Sequence, residues 1–171
     1  MRLAIINDTH FGTRGDSLLF LANQEKFFRE IFFPKIDELQ IRVIFDLGDT
    51  FDRRKFVNFM TLSKVKEFFF SQIAKRGIEY HAIVGNHSTY FKNTNDVNSM
   101  DLLLAEYPNF HIYNKDPVEL QFGSTKFMLS PWLTKENEEV SKRAFIETKA
   151  DVLAGHFEFT GFEMMKGTLC D

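Results

Sequence analysis

Four times along the chain an apolar stretch runs straight into side chains able to hold a divalent cation: Asp8-Thr9-His10, Gly48-Asp49, Gly85-Asn86-His87 and Gly155-His156. Carboxylate, amide and imidazole donors in this mixture suit Mn²⁺, Fe²⁺ or Zn²⁺ better than an all-oxygen Ca²⁺ site or a thiolate site. In extended backbone, residues two apart project to the same side, so Asp8 and His10 can grip one cation while Thr9 turns away. Asn86 and His87 are adjacent and project apart, which lets one ligate metal while the other faces substrate. Gly48, Gly85 and Gly155 leave room for close backbone approach beside each cluster. Taken singly the clusters are ordinary: Asp8 could open a turn, His10 could be a loop histidine, and Gly85-Asn86 is a favoured turn pair. Their joint appearance, each just after a buried strand, points to a metal centre.

The elements that must position these clusters follow from the hydrophobic pattern. Arg2–Ile6, Arg42–Leu47 and Glu79–Val84 are buried strands; the stretches between them, Ser17 to about Leu39 with an interruption near Pro34 and Lys55–Lys75 ending at Arg76-Gly77, are helical. A polar loop, Ser88–Asn98, leads into a short helix at Ser99–Tyr107. Phe110–Tyr113, Val118–Phe122 and Thr125–Ser130 then follow as short strands, the last two joined by a tight turn at Gly123-Ser124. A charged helix at Lys135–Thr148 and a strand at Asp151–Ala154 complete the pattern. The opening β-α-β-α-β order predicts parallel pairing with right-handed crossovers, and the hairpin-like middle predicts a second sheet. In an open α/β sheet, ligands bind beyond the carboxyl ends of the strands, where these four clusters would converge. The apolar residues of Lys55–Lys75, Phe68-Phe69-Phe70 among them, spread around nearly the whole helix, so one face needs a partner besides the sheet: a second copy or another part of the same domain. His81 and His111 fall inside strands and read as structural; Asp16, Asp46, Asp96 and Asp101 read as turn, cap or surface residues.

Composition narrows the class. The 171 residues are 44 % hydrophobic and 26 % charged, with 21 Phe against one Trp and four Tyr, enough for a sizeable core. No apolar run approaches the roughly 20 residues of a membrane span, and the N-terminus turns polar at Asn7-Asp8, too soon for a signal peptide. A single cysteine, Cys170, excludes an internal disulfide and suits a reducing compartment, so the cytoplasm is the expected location. The net charge of −3 gives no global basic field for nucleic acid, although bound cations would reverse the field at a carboxylate-rich site.

In order, D-x-H, G-D-x-x-D-R (Gly48 to Arg53), G-N-H and G-H resemble the motif series of the calcineurin-like metallophosphoesterases, over nearly the whole chain. Gly12, giving D-x-H-x-G, and the long Phe-rich crossovers are similar to the SbcD branch, the nuclease subunits of recombination complexes; Asp52-Arg53 is also similar to the phosphoprotein phosphatases. Two departures stand out. Ser88 follows G-N-H where the family commonly has an acidic residue supporting the histidine, and no G-H-x-H motif follows Gly155-His156. On that resemblance residues 1–171 are expected to be the N-terminal portion of the domain, with the missing histidine pair downstream and the second sheet incomplete.

The resemblance implies an α/β sandwich of two β-sheets flanked by helices, and two divalent cations, Mn²⁺ foremost with Mg²⁺, Fe²⁺ or Zn²⁺ as alternatives. It implies that Asp49 bridges the cations, that Asp8 and His10 complete one site, that Asn86 and His156 contribute to the other, and that His87 serves the leaving oxygen. The implied reaction is DNA phosphodiester hydrolysis by a two-metal-activated hydroxide, 3′→5′ exonucleolytic and endonucleolytic, in recombination and double-strand-break repair. The implied partners are DNA, an SMC-like ABC ATPase and a second copy held through the 55–75 and 99–107 helices. Arg53 and the loop residues Tyr90, Lys92 and Asn93 are placed to touch sugar and phosphate. Phosphomonoester hydrolysis and a non-catalytic interaction module are the competing readings.

Overall fold

The apolar runs become strands, and the phenylalanine-rich stretches between them become crossovers. The computed structural model describes residues 2–158, 161, 163–165 and 168–169. Strand β1 (Ala4–Ile6) is followed by a single distorted turn, α1 (Thr13–Asp16), then α2 (Leu18–Phe27), α3 (Phe33–Glu38) and β2 (Val43–Asp46). The second crossover is α4 (Phe59–Val65) and α5 (Ser71–Lys75), leading to β3 (Glu79–Ile83); α6 (Ser99–Leu104) leads to β4 (Phe110–Tyr113). The remainder is β5 (Val118–Phe122), β6 (Thr125–Ser130), α7 (Glu138–Glu147), β7 (Val152–Gly155) and a short antiparallel pair, β8 (Glu163–Met165) with β9 (Thr168–Leu169). Cys170 lies outside the described residues. Among those described, no helix is long and apolar enough to cross a membrane.

Two sheets face each other with helices outside, the expected sandwich. The first, in the order β1-β2-β3-β4, is parallel throughout. The second, in the order β5-β6-β7, joins an antiparallel hairpin to a parallel strand. Phe110–Tyr113 therefore does not open the second sheet, as the sequence pattern suggests, but closes the first. Strand alternation splits each inner strand between two cores. Ile44, Tyr80 and Ala82 pack with the crossover helices, while Val43, Phe45 and Ile83 pack with Phe127 and Leu129 of the second sheet.

The crossovers differ from expectation in instructive ways. The first is not broken at Pro34; the chain widens into a π-helical turn, Phe28–Phe32, just before it. A proline in a helix cannot donate to the carbonyl four residues back, and a wider turn absorbs that misfit. The second begins at Phe59 rather than Lys55, because the Asn58 side chain accepts from the backbone N–H groups of Met60 and Thr61 and so caps the helix. It carries its own π-helical turn at Lys66–Phe70. Three successive phenylalanines, Phe68, Phe69 and Phe70, are all fully buried. They reach Phe11 and Phe28 on one side and Tyr80 and Phe110 on the other, so this part of the helix is covered by its own domain.

Phe69 lies at the junction, with ring centroids 4.6 Å from Phe28, 5.4 Å from Phe11 and 5.1 Å from Phe70. Phe69→Ala should lower unfolding free energy by about 3–5 kcal/mol, read as a shift in urea midpoint at unchanged slope. A loss below about 1 kcal/mol would show that the aromatic cluster can collapse around the gap.

Candidate metal centre

The first two ligand loops lie side by side beyond β1 and β2. Asp8 donates its N–H to the Gly48 carbonyl at 3.0 Å, His10 to that of Asp49 at 3.0 Å and Phe11 to that of Thr50 at 2.9 Å. The backbone there is not extended, contrary to the sequence-based geometry for Asp8 and His10. Asp8 (φ 51°), His10 (φ 43°) and Asp49 (φ 52°) are all left-handed, a conformation costing about 1–3 kcal/mol per residue that surrounding bonds must hold in place. The side chains nevertheless meet, with His10 Nε2 3.5 Å from Asp8 Oδ1.

Asp49 is where the loops join. One carboxylate oxygen accepts the His87 N–H at 2.8 Å; the other lies 3.3 Å from His156 Nε2 and 3.8 Å from His10 Nε2. A β-carbon on Gly85 would come within 2.3 Å of the Asp49 Oδ1 atom, so only glycine lets the third loop close on that carboxylate. Gly48 combines φ 102° with a would-be β-carbon 2.9 Å from His156 Nδ1, so the same demand holds on the other side. Burial pushes the Asp49 carboxyl up, but hydrogen bonding and charge from His156, with help from the His87 N–H, hold it below the usual carboxylate range. Burial pushes His156 down, and Asp49, the Leu47 carbonyl and Asp8 together hold it above its usual value.

The donors suit divalent cations. Two trios come within 4.8 Å of one another, His10–Asp49–His87 and Asp8–Asp49–His156, with Asp49 common to both. Separations of 3.5 and 3.8 Å from His10 Nε2 to Asp8 and Asp49 are too long for hydrogen bonds, yet they suit donors sharing one ion. His156 donates Nδ1–H to the Leu47 carbonyl at 2.9 Å, which turns Nε2 towards Asn86 Oδ1 at 3.0 Å as well as Asp49. A ring nitrogen aimed at two oxygen acceptors needs a proton or a cation between them.

His87 is oriented without an acidic neighbour. Its Nδ1–H donates to the Asp52 carbonyl at 2.5 Å, a bond from the second ligand loop, leaving Nε2 free. Its ring meets that of His10 edge-on at 5.0 Å. Asp52 also places a carboxylate oxygen 3.4 Å from His10 Nδ1. The outer residues are less concentrated. Arg53 lies over the Phe56 ring at 4.8 Å and 3.5 Å from Asp16; together with Tyr90 it lines an apolar cavity of about 360 Å³. Lys92 instead lines a separate cavity with Trp132 and His156, and Asn93 is exposed and lines neither.

Some contributors escape sequence reasoning. Arg54, not Arg53, fastens the 88–98 loop, donating to the Thr89 hydroxyl at 2.8 Å and to the Phe91 carbonyl at 3.0 Å. Asp46 is not a surface residue: it is fully buried, accepts from the Gly48 N–H two residues on as turn residues do, and also accepts from the Thr50 and Tyr80 hydroxyls. Its position at the end of an apolar strand, two residues before Gly48, was the available signal. Asp16 accepts from Thr61, and Asp101 accepts from the N–H₂ groups of Asn98 and Asn114, as cap and turn residues do.

A family model described as calcineurin-like phosphoesterase matches residues 1–167. Exonuclease subunit 1 of Enterobacteria phage T4 is 30 % identical over 168 residues, covering 98 % of this chain and 48 % of that protein, so the chain spans about half the length of this curated relative. Among solved structures, a protein of unknown function from Aquifex aeolicus shares 17 % identity at a TM-score of 0.49, covering 93 % of this chain and 80 % of that one. An archaeal phosphodiesterase shares 15 % identity at a TM-score of 0.43, covering 99 % and 81 %.

Asp46 ties this site to pH. Burial pushes its carboxyl up to about 6 from an ordinary 3.8, against the hydrogen bonds it accepts from Tyr80, Thr50 and Gly48. A raised folded value means that the protonated form favours the fold: its contribution is complete below about pH 4 and is lost as pH rises through about 6, by about 3 kcal/mol at most. Asp46→Asn keeps an acceptor for the Gly48 N–H and removes the titration. In chelator, unfolding free energies at about pH 4 and about pH 7.5 should therefore show the variant gaining on the wild type as pH rises. Parallel profiles would refute the assignment.

Proposed function

The chain belongs to the calcineurin-like phosphoesterase family, and from that premise we propose that it carries the catalytic centre of a divalent-metal-dependent DNA nuclease. The observation that carries this reading is the convergence of Asp8, His10, Asp49, Asn86, His87 and His156 from four loops onto one carboxylate, Asp49. The similarity to a phage exonuclease subunit favours a phosphodiester of DNA over other phosphate esters. Two cations, Mn²⁺ in this proposal, would draw charge from the phosphate oxygens and lower the pKa of a water.

The residues divide the remaining work. Asp49 belongs to both donor trios and would be the ligand shared by two ions; Asp8 and His10 would hold one of them, and His156 with Asn86 the other. His87 is the catalytic residue that serves the leaving sugar oxygen. With Nδ1–H held by the Asp52 carbonyl, only Nε2 can carry a proton outward to that oxygen. Arg53, Tyr90, Lys92 and Asn93 are assigned to the DNA backbone, and Lys92 lines a cavity together with His156. In the protein carrying residues 1–171, His87→Ala should reduce Mn²⁺-dependent cleavage of end-labelled linear DNA by about 10²–10⁴-fold while Mn²⁺ binding persists. Loss of metal in that variant would make His87 a ligand instead. Faster turnover of a phosphomonoester than of DNA would favour the phosphatase reading that Asp52-Arg53 also supports.

The proposal extends to self-association. Phe59 is 88 % and Leu102 73 % exposed, and both line the apolar cavity between α4 and α6, so the dimer contact belongs at these helix ends rather than along the whole 55–75 segment. An SMC-like ATPase is the further partner, its sign being cleavage that rises with ATP when both subunits are present. Phe59→Asp should convert a sedimenting dimer to monomer without changing its circular dichroism. A wild type that is monomeric at high concentration would exclude the dimer.

A further inference from the structure

Two histidines and a glutamate that the catalytic reading leaves unused lie together on the inter-sheet face of the first sheet. Glu79 and His81 are two apart on β3, and His111 sits beside His81 on β4, in direct register. Strand geometry therefore sends all three side chains to one face. One donor atom from each lies within 4.8 Å of the other two. The His81 and His111 rings stack with centroids 4.7 Å apart, and His111 Nε2 is 2.7 Å from Glu79 Oε2. His81 is 9 % exposed, walled by Phe45 at 5.7 Å and Phe122 at 5.6 Å, while the side chains of Glu79 and His111 are 50 % and 42 % exposed. A walled imidazole with two mobile donors at its open edge is an arrangement into which an ion can enter from solvent.

We propose that Glu79, His81 and His111 form a second metal site, for a single zinc-class transition ion, separate from the catalytic centre. Two imidazoles and one carboxylate, with no thiolate and too few oxygens for Ca²⁺ or Mg²⁺, select Zn²⁺ and its neighbours. Donors around a tetrahedral zinc sit about 3.3 Å apart at bond lengths of about 2.0–2.1 Å. The His111–Glu79 pair is already that close, and rotation of these two exposed side chains towards His81 closes the remainder. The ring of His81 is steadied from behind, since its Nδ1 lies 2.8 Å from the Tyr113 hydroxyl, two residues beyond His111 on β4. A ligand histidine whose other nitrogen is hydrogen-bonded in this way has its orientation set before the ion arrives. Solvent fills the fourth position.

The position gives the ion a structural task. Glu79 opens β3, at the opposite end of that strand from Gly85-Asn86-His87. Among the described residues, strand β4 is an outer strand of its sheet and pairs only with β3. An ion held by both strands would staple that edge.

Equilibrium dialysis against Zn²⁺, with bound metal counted per chain, tests the site. The wild type should hold one more Zn²⁺ than His111→Ala, and Zn²⁺ should raise the melting temperature of the wild type more than that of the variant. Glu79→Gln, which keeps the size of the side chain, should weaken this zinc at least tenfold. Tyr113→Phe should weaken it by about 10–100-fold without removing it. Mn²⁺-dependent DNA cleavage by His111→Ala should be unchanged, so failure here is distinguishable from failure of the nuclease reading. Equal zinc stoichiometry in wild type and His111→Ala, or zinc affinity indifferent to Glu79→Gln, overturns the proposal.

Discussion

The four polar loops that gather at one end of the molecule are arranged around the buried carboxylate of Asp49. It sits on the second strand's loop and receives the third loop through the His87 N–H; on its other side it faces the first loop's His10 and the fourth loop's His156. A buried carboxylate is costly unless its charge is met, and here it is met by groups from three other loops. The left-handed conformations of Asp8, His10 and Asp49, and the two glycines that admit close approach, are the backbone's concessions to that one carboxylate.

The same concentration of carboxylates sets the charge of the candidate site. Asp8, Asp49 and Asp52, part of a chain whose net charge is −3, concentrate negative charge in one place, a setting that repels anions. A bound divalent ion inverts that field locally. His156 Nε2, aimed at Asp49 and Asn86, is a position where a proton and a metal compete for one lone pair. Lys92 and Arg53, cations close in sequence to the ligand loops, line two separate cavities rather than one patch.

Much of this was legible in the sequence because strand-to-loop transitions are sharp. Apolar runs ending before Asp8, Gly48 and Gly85 located three strands of the parallel sheet, and the run ending at Gly155 proved to belong to the second sheet. All four brought their polar clusters together without any knowledge of how the loops bend. The bends themselves were not legible: Asp8 and His10 meet through left-handed backbone, where the period-two argument assumed extension. Helix starts were displaced where a single side chain, Asn58, outcompetes hydrophobic periodicity. Asp46 was not recognised as buried because its one signal, an acidic residue ending an apolar strand, does not say which groups it meets. Only the three hydrogen bonds it accepts show why it is inside. The support of His87 was invisible for a related reason: it comes from a main-chain carbonyl, and backbone groups leave no trace in residue identity.

The bond from His156 to the Leu47 carbonyl spans 109 residues. During synthesis, Asp8 and His10 leave the ribosome long before His156 exists. Until β7 has been made and docked beside β6, the donors of the first three loops stand without His156. Any ion that needs all four loops would therefore have to wait for β7 to dock.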